Sequence, residues 1–156
     1  MNIEQHLRKY ENVFRSLRKL SRSQDQVLWL WGAHVGLVHL YNAALHACGV
    51  TRAEASYATQ RANVYIRPGA PAAFEVTSDA DIQLDLLHVG LPPLKREPPG
   101  RLQDAAHILK NIEQHAMRFS RTTEDGRVSG FALLEDDVVN CAALLCDQLG
   151  MGPVEL

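Results

Sequence analysis

A chain of 156 residues, 46% of them apolar and 22% charged, has ordinary single-domain length and is too apolar to be disordered. Its 16 Lys and Arg against 18 Asp and Glu leave a formal charge of −2, which argues against strong indiscriminate binding to nucleic acid. Three cysteines, an odd number, argue against a disulfide framework and for Cys48, Cys141 and Cys146 as small apolar helix residues in a reducing, cytoplasmic setting.

The stretch from Met1 to Lys9 has no apolar core behind its charges, so no secretory signal is read there, and no anchor motif is read at Gly152 to Leu156. From Ile3 to Leu20 apolar residues recur at Ile3, Leu7, Tyr10, Phe14 (or Val13), Leu17 and Leu20, which predicts an amphipathic helix. Its outer side is basic, with Arg8, Lys9, Arg15, Arg18, Lys19 and Arg22 set against Glu4 and Glu11. Ser21 and Ser23 then offer an N-cap, with Asp25 in the first turn of a second helix from about Gln24 to Ala47, closed by Gly49. Gln26 to Thr51 holds no Asp, Glu, Lys or Arg and would be long enough to cross a bilayer. Because it carries His34, His39, Asn42 and His46, it reads instead as a helix buried among others, and no membrane is expected. Gly32 and Gly36, four residues apart, suit close helix contact.

Thr51 caps a third, shorter helix from Arg52 to about Ala62. Val64-Tyr65-Ile66 and Phe74-Glu75-Val76 flank Pro68-Gly69-Ala70-Pro71 and form either a small hairpin or a loop. Ser78-Asp79 opens either a helix through Leu86-Leu87, ending at Gly90, or a strand on the alternation of Ile82, Leu84 and Leu86. Pro92-Pro93 and Pro98-Pro99-Gly100 enclose a stiff, exposed linker. A helix from Arg101 to Phe119 follows, with a stripe of Leu102, Ala105, Leu109, Ile112, Ala116 and Phe119. The last helix, Phe131 to Leu149, has Leu133, Leu134, Val138, Cys141, Ala142, Leu145 and Leu149 inward and Glu135, Asp136 and Asp137 outward. The expected fold is therefore one domain over residues 1–156, all-α or mostly α, a bundle of about five to six helices with a candidate hairpin insertion at 64–76.

Chemistry is sought on the face of the Arg101 helix opposite its stripe. At 100° per residue, Asp104, His107, Asn111, His115 and Arg118 fall within about 80° of arc, with Arg101 beside them. Titratable, hydrogen-bonding and cationic groups thus line up along one side, where a solvent face normally carries Lys and Glu. Metal is not expected: His107 and His115 stand about 12 Å apart along the axis, too far to share an ion whose bonds to nitrogen are near 2 Å. The same spacing argument separates His39 from His46. No nucleophile elbow, phosphate loop or dinucleotide fingerprint is present, and no cofactor is expected.

The basic first helix, the aromatic and Ala-rich Leu40-Tyr41-Asn42-Ala43-Ala44-Leu45-His46-Ala47 and the acidic closing helix resemble those of the HEPN superfamily, helical bundles that often dimerise and include metal-independent ribonucleases of toxin–antitoxin and phage-defence systems. That family's motif is Arg, four to six residues, then His, usually with a polar residue after the Arg. Arg101 to His107 is similar but has Leu102 at the polar position; Lys110 to His115 has Asn111 in place but Lys for Arg. The resemblance implies attack of a ribose 2′-hydroxyl on its phosphate. His115 (or His107) would move the proton, Lys110 or Arg101 would face the phosphate charge, and Asn111 would orient the scissile group, with Asp104 and Arg118 beside the substrate. A homodimer would join two copies of the helix across one cleft. Two other readings stand beside it. One is a non-catalytic helical module binding a protein partner, such as an antitoxin, immunity protein or inhibitor, through Trp29, Trp31 or the Pro92–Pro99 linker. The other is an enzyme with a small-molecule or metal site in the bundle core.

Overall fold

The computed structural model describes residues 2–50, 63–66, 74–77, 97–122 and 127–152. Among them are four helices: α1 (Ile3–Leu17), α2 (Gln26–Ala47), α3 (Gly100–Thr122) and α4 (Phe131–Leu149). Asn63–Ile66 and Phe74–Thr77 pair antiparallel, Val64 opposite Val76. The expected short helix from Arg52, the helix or strand from Ser78 and the Pro92–Pro93 end of the linker lie outside the described residues.

The charge-free segment is the centre of the bundle. α2 packs against α1, α3 and α4, and fourteen of its 22 residues are buried. Leu30, Leu37, Leu40 and Leu45 of α2 meet Leu102, Leu109 and Ile112 of α3 and Val138 and Leu145 of α4 in one apolar core. Burial on nearly every side explains why this helix has no polar face. Among the described residues, no helix is long and apolar enough to cross a membrane.

Helix ends follow local chemistry, with two departures from expectation. Asn2 and Gln5 form a reciprocal capping box that starts α1. α1 stops at Leu17, and the backbone tightens through 18–20, where Lys19 and Leu20 donate three residues back. Neither Ser21 nor Ser23 caps α2: Asp25 holds the N-cap position, and its carboxylate turns back to accept from the Ser21 amide at 2.9 Å. That contact satisfies the turn before the helix and leaves the first α2 amides without a side-chain cap. Gly49, at φ +66°, closes α2 as expected: its amide donates to His46 and that of Val50 to Leu45, a paired C-terminal motif sealed by buried Val50.

Two further assignments change. Pro98 is buried rather than part of an exposed linker, and its carbonyl accepts from the Gln103 side chain. Leu133, placed inward by the periodicity of α4, is 73% exposed. Glu135, Asp136 and Asp137 lie on the outer side of α4, with Asp136 exposed and Glu135 and Asp137 half-buried by surface contacts to Arg22 and Asn111. Trp29 is a core residue edge-on to Phe131 with the Arg22 guanidinium over its ring, so it is no docking residue, while Trp31 is half-buried.

Candidate functional site

The edge of α3 singled out from sequence lies beside α4. Arg101 forms an ion pair with Asp147, and the Asn111 amide donates to the Asp137 carboxylate at 2.9 Å. Moving forward along α3 from Arg101 to Asn111 matches moving back along α4 from Asp147 to Asp137, so the two helices run antiparallel with these groups as lateral ties. Arg101, Asp104, His107, Asn111 and Arg118 are exposed, and Lys110 and His115 are half-buried. His107 and Asp104 make no hydrogen bond or ion pair among the described residues. His115 Nδ1 lies 2.8 Å from the Asn111 carbonyl. A carbonyl only accepts, so Nδ1 carries the hydrogen and a neutral His115 keeps its lone pair on Nε2, the tautomer required of a base there.

The structure thus brings together on one edge the groups expected there, but two of them are also ties to carboxylates. An amide and a guanidinium engaged by Asp137 and Asp147 have less to offer a phosphate, and the carboxylates repel one.

Sequence spacing missed a second cluster. His6, fully buried on α1, sits between His39 and His46 of α2, its ring centre 5.3 Å from each, with the Nδ1 atoms of His6 and His39 3.1 Å apart. In the neutral pair one of these nitrogens donates and the other accepts. Burial, aided by the nearby Lys9 cation, pushes His39 down to about 4. His34, elsewhere on α2, is 1% exposed, neither ring nitrogen has a hydrogen-bond partner among the described residues, and burial alone pushes it down to about 4. Among the described residues no three His, Cys, Asp or Glu side chains are grouped to hold a metal ion. The clue to His6 was its position four residues before Tyr10 and eight before Phe14, on the buried stripe of α1.

A third feature is an open apolar hollow of about 450 Å³ between α1 and α2, lined by Asn12, Val13, Ser16, Leu17, Leu20, Leu28 and Gly32. Leu28 stands at its rim, 59% exposed. Gly32 and Gly36 set the depth of the α1/α2 contact. A Cβ on Gly32 would lie 2.4 Å from Leu17 Cδ2, and one on Gly36 2.5 Å from Phe14 Cε2. The cysteines are free thiols, with Cys141 and Cys146 buried and pushed up by that burial.

Comparison with known proteins finds no matching family model, no matching curated protein and no matching solved structure.

Proposed function

We propose that this chain is a non-catalytic helical module that binds a protein partner through its α1/α2 face. The observation that carries this reading is the apolar hollow with Leu28 exposed at its rim, since an apolar concavity at a surface is what a docking side chain fills. The competing use of Arg101 and Asn111 as ties to α4 supports it as well. The chain used as bait is expected to retain one stoichiometric partner, and Leu28→Asp to lower that retention at least tenfold, while Leu133→Asp, at a still more exposed leucine on α4, leaves it intact. Retention indifferent to Leu28→Asp, or no partner at all, overturns the reading.

A second reading, that of a HEPN-like toxin–antitoxin or phage-defence protein cleaving RNA without metal as a cytoplasmic homodimer, is favoured by the exposure of His107 and by the tautomer of His115. On that reading single-stranded RNA is cut in EDTA, and His107→Ala with His115→Ala lowers the rate by a factor of at least about 100, the scale of lost general acid–base catalysis. An intact substrate after prolonged incubation removes it.

A further inference from the structure

Resting on the protein-binding reading, we infer that the α1/α2 hollow receives an amphipathic helix whose apolar stripe is flanked on one side by acidic residues. The two lips of the hollow differ. On α1, Arg8, Asn12 and Arg15 follow one another at four- and three-residue steps, so they form a single row beside Ser16 of the lining, and Lys19 follows in the turn just past the end of the helix. All four are exposed, and Arg8, Arg15 and Lys19 make no ion pair among the described residues. On α2 there is no charged side chain from Gln26 to Val50, so that lip is Leu28 and its apolar neighbours. From Arg8 to Arg15 the row runs about 10 Å, two turns of helix, and Lys19 extends it past the helix end. A helix laid along it would set aliphatic side chains over Leu20, Leu28 and Gly32 and carboxylates against the row.

Other occupants fit less well. A membrane takes protruding apolar side chains, whereas Leu17 is buried, Leu20 half-buried and Leu28 alone stands clear. Nucleic acid would use the cations and leave the apolar floor without a function. The acidic α4 of a second copy offers exposed Leu133 and Val139, but Glu135 and Asp137 there already engage Arg22 and Asn111 of their own chain.

The test uses the full chain and a displayed library of 18-residue helical peptides. Each has fixed Leu at four positions of one stripe and Asp, Ser or Lys varied on both flanks. Selection at 0.15 M salt is expected to enrich Asp on a single flank, with Asp-flanked peptides binding roughly tenfold tighter than Lys-flanked ones. The variant carrying Arg8→Glu, Arg15→Glu and Lys19→Glu, all at exposed sites, is expected to reverse that choice to Lys, and Leu28→Asp to weaken every peptide. Equal enrichment of Asp and Lys, or enrichment that survives the triple change, overturns the acidic helix while leaving the docking face in place. If no peptide is enriched but Leu28→Asp still releases the partner, the occupant is not a helix and this inference fails alone. Salt-sensitive sedimentation with phosphatidylserine vesicles in place of any peptide enrichment, or concentration-dependent self-association abolished by Leu133→Asp, overturns it in favour of those occupants.

Discussion

Lowering the pH from 7 to 4 is expected to cost the fold several kcal/mol, beginning well above the range in which carboxylates titrate. His34 has an ordinary value near 6.5 when unfolded and about 4 in the fold, because its ring lies in apolar surroundings. Above pH 6.5 both states are neutral and the imidazole contributes no pH dependence. Below it the unfolded chain takes a proton that the native state refuses, so stability falls by about 1.4 kcal/mol per pH unit until the native ring titrates as well. For His34 alone the loss reaches on the order of 3 kcal/mol by pH 4, and His39, depressed in the same direction, adds to it. Against a typical domain stability of roughly 5–15 kcal/mol this is a large fraction. Urea titrations at pH 7, 6, 5 and 4 measure it. His34→Leu replaces two unpartnered nitrogens with a side chain suited to the site, so it should keep or raise stability at pH 7 and remove about one proton from the slope between pH 6.5 and 5. A slope unchanged by His34→Leu refutes the assignment.

Apolar periodicity made the helices legible and charge distribution made α2 legible, because both report directly on burial. An absence of Asp, Glu, Lys and Arg over Gln26 to Val50 has only two uses, membrane or core, and three histidines with an asparagine select the core. The Gly32 and Gly36 spacing likewise predicted close contact, and α1 approaches there. What failed to show were polar residues on buried stripes. His6 and Glu113, both under 5% exposed, stand at positions on the buried stripes of α1 and α3, but as polar residue types a binary pattern scores them as solvent-facing. Leu133 is the converse, an apolar residue on the exposed face of α4. The α3 edge was legible as a row of groups, since that is single-helix geometry. Its pairing with Asp137 and Asp147 depends on the register of α3 against α4, which the packing of Cys141, Leu145 and their partners decides and no local pattern encodes.

The same contrast between local propensity and tertiary contact gives the second large effect, at Gly36. Alanine in a helix interior is favoured over glycine by about 1 kcal/mol, so an isolated α2 would gain from Gly36→Ala. In the fold the new Cβ would stand 2.5 and 2.8 Å from Phe14 Cε2 and Cδ2 and 3.3 Å from Val13 Cγ1. The Phe14 ring is 4% exposed and packed 4.8 Å from that of Tyr10, so it has no room to swing away. Overpacking of about 1–3 kcal/mol therefore exceeds the propensity gain, and Gly36→Ala should destabilise by roughly 1 kcal/mol, with Gly36→Val, bulkier and β-branched, costing at least 3. Gly32→Ala should be milder despite the nominally closer 2.4 Å approach, because the atom it meets is the mobile end of Leu17 rather than a rigid ring. Urea midpoints give the order, and amide exchange locates it: Gly36→Val should unprotect α1 before α3 and α4, since α1 packs chiefly on α2. Equal costs at the two glycines, or a gain at Gly36, would mean that α1 slides freely on α2, and the hollow between them would then have no fixed shape for a partner to recognise.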